Sequence, residues 1–281
     1  MKQYELQCGR YRLPLPGNGA PPLVMGILNV TPDSFSDGGR FDALESALYR
    51  AEQMIADGVD MIDIGGESSR PGAAPLPLSE ELRRVLPVIY ALRDCGKPLS
   101  IDTYKPEVMR EAIAAGADMI NDINGFRADG ALDAVRDGNC GLCVMHMLRD
   151  PQTMQAEPQY QDVVREVTEF LRQQTAQLEA VGVARGRLCI DPGFGFGKTL
   201  THNLALLKSI GQIQHELDLP LLAGLSRKSM LAGIIGKPVE QRLAGSLALA
   251  LAAAANGARI VRVHDVAETV DALKVWHAAN N

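Results

Sequence analysis

Eight short apolar runs, each ending in polar residues and followed by an amphipathic stretch, constrain this chain more than any other feature. The runs are Leu23–Asn29, Met61–Ile64, Leu99–Asp102, Met119–Asn121, Leu142–His146, Leu188–Asp191, Leu221–Leu225 and Ile260–Val263. Short runs of this kind read as strands buried on both faces, as in a parallel sheet. Helical spacing fills the gaps: Leu44, Ala47, Leu48, Ala51, Met54 and Ile55 recur at intervals suited to one helix face. Ser79-Glu80-Glu81-Leu82 reads as an N-cap with acidic first-turn residues and predicts a helix to about Cys95. Val163 to Leu178 and Leu204 to Leu217 are also periodic, and Asp265 is placed to cap a last helix through about Ala278. Gly58, Gly116, Gly138, Gly182 and Gly257 each fall between a predicted helix and the next strand, where a left-handed residue commonly ends a helix.

A strand–helix unit repeated eight times predicts an α/β protein, a (β/α)8 TIM barrel, with residues 1–281 as one domain. An open doubly wound sheet is the runner-up; eight units favour closure. Residues 1–22 lie outside the repeat. Tyr4–Gln7 and Tyr11–Leu15, around Cys8-Gly9-Arg10, predict a short β-hairpin that plugs the N-terminal end of the barrel.

Composition excludes several classes. At 46% hydrophobic and 22% charged residues the chain is not a disordered one. A formal net charge of -6 argues against a nucleic-acid partner, which would call for a strongly basic face. Leu243 to Ala255 is nearly apolar but too short for a membrane span of about 20 residues, and MKQYELQCGR has no apolar signal core, so no membrane association is expected. Five cysteines are too few, and odd in number, for a disulfide framework; a reduced, cytoplasmic protein is expected.

In a barrel of this kind the C-terminal strand ends and the loops after them build the active site. Here those positions are Asn29, the Asp63–Gly72 segment, Asp102-Thr103, Asn121-Asp122, His146, Asp191 to Lys198, Ser226 to Ser229, and Arg262 to Asp265. One polar strand end is commonly a helix cap. Eight at the same end of their repeats are not explained by capping. Asp102, Asn121 and Asp191 close apolar runs directly, and burying charge there costs several kcal/mol unless a partner is bound, on the order set by desolvation.

These motifs resemble one family closely. Met25 to Gly39 is similar to the first signature of the dihydropteroate synthase family, and Asp63 to Gly72 to its second. Ser100 to Thr103, Asn121 to Ile123, Asp191 to Phe196, Ser226 to Ser229 and Arg262 to Asp265 match the rest in order, over residues 23 to 266. Ser69 stands where many members carry Thr, and the hydroxyl is retained. The resemblance implies condensation of 6-hydroxymethyl-7,8-dihydropterin diphosphate with 4-aminobenzoate, giving 7,8-dihydropteroate and diphosphate. It implies a pterin cradle of Asp102, Asn121, Asp191 and Lys228, with a carboxylate accepting the two-donor edge of the ring. It implies a diphosphate site of Asn29, Ser69, Arg262 and His264, with Mg2+ bridging phosphate oxygens and Asn29 as its protein ligand. Phe35, Arg70, Pro71 and Ser229 are the implied aminobenzoate contacts. Asp33, Asp102, Lys228 and Arg70 are the implied catalytic residues, with Asp33 and Arg70 on mobile first and second βα loops. The small residues of Leu247–Ala255 would permit close helix approach in the homodimer that the resemblance implies.

Other signals are weaker. Gly197-Lys198-Thr199 resembles the end of a P-loop, but Pro192 occupies the required first glycine. Cys140 and Cys143 have C-x-x-C spacing without a second pair, and straddle a strand start. Two other functions share the pterin cradle: a methyltetrahydrofolate-type methyltransferase, and a catalytically silent pterin-binding paralogue.

Overall fold

A computed structural model describes residues 4–17, 19–30, 40–68 and 72–280. Strands β1 (Tyr4–Cys8) and β2 (Tyr11–Leu15) form an antiparallel hairpin. The eight remaining strands are β3 (Leu23–Asn29), β4 (Met61–Gly65), β5 (Leu99–Asp102), β6 (Met119–Asp122), β7 (Gly141–Met145), β8 (Leu188–Asp191), β9 (Leu222–Ala223) and β10 (Ile260–Val263). They pair in parallel in the order β8-β7-β6-β5-β4-β3-β10-β9. A bridge between Ile190 and Leu221 joins the two ends of that order, so the sheet curls into the expected barrel.

Helices separate consecutive strands: α1 (Arg40–Ala56), α2 (Leu78–Leu92), α3 (Pro106–Ala115), α4 (Ala131–Val135), α5 (Val163–Ala180), α6 (Leu200–Lys208), α7 (Ile210–Leu217), α8 (Ser229–Ile235), α9 (Leu243–Ala255) and α10 (Val266–Asn280). Among the described residues, no helix is long and apolar enough to cross a membrane.

The strand pleat sorts side chains between two cores. One set, including Val24, Leu28, Ile62, Ile64, Leu99, Ile101, Ile120 and Val144, faces outward and packs against the helices. The alternate set faces the barrel axis. Its lowest layer is apolar: Met25, Met61, Met119, Cys143, Cys189, Leu222 and Ile260 pack with Leu6, Cys8 and Leu15 of the hairpin. The hairpin therefore closes the N-terminal end, as expected. Asp118 ties it down, accepting from the Arg10 backbone N–H at 3.2 Å and from Arg10 Nε at 3.2 Å. Two residues further along β4, β6, β8 and β10, the inward layer turns polar with Asp63, Asn121, Asp191 and Arg262. The mouth is thus built by the pleat that builds the plug.

The five helix-ending glycines all take positive φ, from 88° to 114°. Other local expectations need correction. Helix α2 starts at Leu78 with Pro77 at its N-cap and no side-chain cap, so Ser79 lies inside the helix; Arg93, not Cys95, closes it. A proline needs no N–H partner there and its fixed φ suits the helix start. The single helix expected over Leu204–Leu217 is two, divided at Ser209, and the first begins at Leu200 under a Thr199/His202 capping box. Gly211 lets α7 press against the Asn256 carbonyl, where a Cβ would come within 3.2 Å. Strand β9 is only two residues long, shorter than Leu221–Leu225. All five cysteines are free.

Candidate active site

The mouth of the barrel holds three carboxyl side chains and two cationic ones brought together from five strand ends. Arg262 on β10 is the hub. Its Nε donates to Asp63 Oδ2 at 2.5 Å and its Nη2 to Asp102 Oδ2 at 2.8 Å. Asn121 Nδ2 donates to the same Asp63 oxygen at 3.1 Å. Asp63 is fully buried, and its Oδ1, the Oδ1 of Asn121 and the hydroxyl of Ser100 have no protein hydrogen-bond partner. Buried polar atoms are nearly always partnered, so a cluster of unpartnered ones marks a place where a ligand completes the bonding.

Asp191, at the end of β8, is buried. Its Oδ1 accepts from the Gly193 N–H at 2.7 Å. Opposite its Oδ2 stands Gly224, whose missing Cβ would lie 3.8 Å from that oxygen, so space is left beside the carboxyl. Burial raises the pKa of Asp191, opposed by Lys228, the Gly193 N–H, Lys198 and Arg262. Burial also raises Asp102, although Arg262 pulls against it.

Lys228 follows Arg227, which holds φ at 57°, a costly conformation for a residue other than glycine. That conformation is pinned by Ser246 Oγ accepting from the Arg227 N–H at 2.9 Å and by Asp265 accepting from Arg227 Nε at 3.0 Å. The turn aims Lys228 at the Phe194 carbonyl and over the Phe196 ring, with Nζ 4.3 Å from the ring centroid. Burial pushes the Lys228 ammonium down to about 8, against the pull of Asp191.

Asn29 and Asp102 flank Gly65. A Cβ there would lie 3.6 Å from Asn29 Oδ1 and 4.0 Å from Asp102 Oδ2, so glycine leaves an opening between two oxygen donors. The Asn29 amide oxygen is a donor of the kind Mg2+ takes, whereas Asp102 Oδ2 already accepts from Arg262 Nη2. Among the described residues no group of three or more His, Cys, Asp or Glu is gathered for a metal. His264 sits on the same rim, its Nδ1 3.0 Å from Ser226 Oγ. Ser229 is exposed in the first turn of α8.

A cavity of about 230 Å³ opens beside Asp102, walled by Glu67, Tyr104, Ile123 and Met147 among others. Its Glu67 is locked by Lys105, which also donates to Glu81 at 2.5 Å, and by the Tyr104 hydroxyl at 2.8 Å. Burial raises Glu81, while the hydrogen bonds from Lys105, Leu76 N–H and Tyr104 overcome burial and lower Glu67.

The structure thus brings together Asn29, Asp102, Asn121, Asp191, Lys228, Arg262 and His264. Asp33, Phe35, Ser69, Arg70 and Pro71 lie outside the described residues. Two strand-end residues read as part of the rim face away from it. Asp122 accepts from the Asn124 and Phe126 N–H groups at 2.7 Å each, capping the turn after β6. His146 points toward α5, edge-on to Phe170 with ring centroids 4.8 Å apart. Asp63 begins the Asp63–Gly72 rim segment, but the sequence assigns it no individual role; the structure makes it the buried partner of Arg262 and Asn121. Its signal is a charge in the middle of Met61-Ile62-Asp63-Ile64, two residues after the inward Met61.

Comparison with known proteins agrees with this geometry. Residues 25–264 match the pterin-binding enzyme family. The chain is 50% identical to dihydropteroate synthase of Escherichia coli K12 over 258 residues, 92% of this chain and 91% of that protein. It superimposes on Burkholderia cenocepacia dihydropteroate synthase complexed with 7,8-dihydropteroate with a TM-score of 0.90 at 56% identity, covering 99% of this chain and 98% of that one. The Xanthomonas albilineans dihydropteroate synthase with 4-aminobenzoic acid gives a TM-score of 0.90 at 49% identity, with 99% and 98% coverage.

Proposed function

The chain belongs to the pterin-binding enzyme family, among the dihydropteroate synthases, and from that premise we propose that its barrel mouth joins 6-hydroxymethyl-7,8-dihydropterin diphosphate to 4-aminobenzoate. The products are 7,8-dihydropteroate and diphosphate. The observation that carries this reading is the buried rim in which Asp63 Oδ1 and Asn121 Oδ1 lack protein partners beside Asp191, Lys228 and Arg262. Related enzymes bind 7,8-dihydropteroate and 4-aminobenzoic acid.

The pterin edge carries an amide N–H beside an exocyclic amino group. Asp191 accepts that fork in two parallel bonds, Asp102 and Asn121 flank the ring, and Lys228 donates to its acceptor atoms. At the exocyclic methylene the carbon–oxygen bond to diphosphate breaks and the amine nitrogen of 4-aminobenzoate forms the new carbon–nitrogen bond. The nitrogen then gives up a proton to solvent. A neutral aniline is already nucleophilic, so no strong base is needed. Asp102 and Asp191 favour the positive charge that grows on the pterin as diphosphate leaves.

Arg262 and His264, with Asn29 and Ser69, receive the diphosphate. Arg262 is held by Asp63 and Asp102 and so needs little reorganisation to do so. Asn29 would hold Mg2+, which when bound would supply positive charge to offset that of the diphosphate. The 4-aminobenzoate is assigned to Phe35, Arg70, Pro71 and Ser229, with Asp33 and Arg70 acting at the reacting centre. The same reading carries a cytoplasmic homodimer. Exposed Ile234, Ile235 and Val239, on and after α8 and just before the Ala-rich α9, support an apolar contact between copies.

The deciding assay is diphosphate release from the pterin substrate with and without 4-aminobenzoate. Release that needs the acid is expected. Release independent of it, or methyl transfer to a corrinoid acceptor instead, refutes the assignment. A second expectation concerns pH. Below about 8 Lys228 is an ammonium; as pH rises through that value it loses its positive charge, and its hydrogen bond to the pterin weakens from a charge-assisted one to that of a neutral amine. The kcat/KM for the pterin substrate should therefore fall above that pH, because kcat/KM reports groups of the free enzyme. Lys228→Arg should move this basic limb upward while lowering the plateau, since a guanidinium does not reproduce the ammonium's geometry. A limb unmoved by the substitution would show that another group titrates.

A further inference from the structure

The Gly197-Lys198-Thr199 sequence that fails as a P-loop places a lysine in an unusual setting. Lys198 is only 4% exposed. Its Nζ lies 2.8 Å from His146 Nδ1 and donates to the Phe196 carbonyl at 3.0 Å. Both partners belong to the scaffold behind the mouth. The His146 N–H donates to the Asp191 carbonyl at 3.0 Å, joining the ends of β7 and β8. The His146 carbonyl fills the space over Gly193, where a Cβ would come within 1.8 Å. Gly193 in turn donates to Asp191 Oδ1.

The turn between Asp191 and Lys198 contains three glycines with positive φ: Gly193 at 71°, Gly195 at 81° and Gly197 at 68°. Such a turn is conformationally permissive unless tied down. Asn203 holds the Gly195 N–H at 2.8 Å and the Tyr160 hydroxyl holds the Gly197 carbonyl at 2.9 Å. Lys198 ties the turn's interior to β7. The tied residues adjoin the proposed pterin contacts: Asp191 is reached through Gly193, and the Phe196 ring, held through its own carbonyl, lies under Lys228.

We propose that Lys198, clamped between His146 and the Phe196 carbonyl, is a positioning residue that sets the Asp191 carboxyl and the Phe196 ring for the pterin. It touches neither substrate nor reacting atoms. In this clamp Nζ is the donor and Nδ1 the acceptor, which puts the His146 proton on Nε2; burial pulls the Lys198 ammonium down and the Asp191 carboxylate supports it. The inference rests on the assignment of the pterin to Asp191. Facing Asp191 are Lys228, Lys198, Arg262 and Cys143; facing His146 are Lys198 and Arg127.

Calorimetric titration of the full-length protein with 6-hydroxymethyl-7,8-dihydropterin diphosphate tests this. Lys198→Met and His146→Ala should each raise the Kd about tenfold, the scale of one lost supporting hydrogen bond. The double variant should be no weaker than either single one, because both remove the same clamp. His146→Asn, which offers an amide oxygen near the Nδ1 position, should restore part of the loss. KM for 4-aminobenzoate should stay unchanged, which separates positioning of the pterin from a general loss of folded protein. Folded variants with wild-type Kd, or additive effects in the double variant, overturn the proposal. Should Lys198→Met not fold, nitrogen NMR of the wild-type His146 ring decides. A neutral Nε2–H ring that does not titrate between pH 5.5 and 8 is expected, whereas protonation near the usual histidine value of about 6.5 overturns the clamp. A wild-type protein that does not bind the pterin diphosphate at all would instead sink the functional assignment.

Discussion

Replacing Asp191 by Asn should abolish useful affinity for the pterin diphosphate while leaving the fold intact. The side chain keeps its shape and its Oδ1 can still accept from Gly193. What changes is the edge offered to the ring: an amide turns one acceptor into a donor, which faces the ring's own N–H group. Removing one member of a buried, charge-assisted pair typically costs roughly 2–5 kcal/mol. That is a rise in Kd of roughly 30-fold to a few thousand-fold. Stability should hold or increase, because the wild-type carboxyl is buried and its pKa raised by that burial. Calorimetry with the pterin substrate and the thermal midpoint of the ligand-free protein check both halves. Near-normal affinity and turnover would mean that the ring is held elsewhere.

Arg262→Met should damage stability and activity together. The arginine is the partner of two carboxyl groups, one of them fully buried. Without it Asp63 keeps a single hydrogen bond, from Asn121 at 3.1 Å, and no cation. Breaking a buried ion pair by removing one side costs about 3–5 kcal/mol, because the stranded charge is the expensive species. For a chain of this size that lowers Tm by on the order of 10 °C. Diphosphate release should fall to background, since the variant also loses the cation proposed to receive the leaving group. The double variant Arg262→Met with Asp63→Asn should regain much of the lost Tm without regaining turnover. If the double variant is no more stable than the single one, stranded charge is not the cause.

Those two predictions depend on residues whose legibility differs. Asp191 is visible in the chain as a carboxylate ending an apolar run, ahead of a glycine-rich turn. Arg262 is equally visible, and the resemblance assigns it to diphosphate. Its partnership with Asp63, 199 positions away, is not visible, because it exists only when the last strand, β10, pairs with β3 and so comes one strand away from β4. Lys198 shows the same limit from the other side. Its motif suggests phosphate chemistry, yet its neighbours in space are a histidine 52 positions earlier and a backbone carbonyl.

From the chain alone follow the eightfold repeat, the plugging hairpin, the glycines that end helices and the polar tips of the strands. All of these are local, set by apolar periodicity and by backbone conformations that few residues tolerate. Which tips face the ligand was decided only by the closed barrel. Successive residues on a strand point to opposite faces, so a single step separates Asn121, in the mouth, from Asp122, capping a turn outside it. Which charges meet depends on sheet register and closure, and these come from the whole hydrophobic core packing at once.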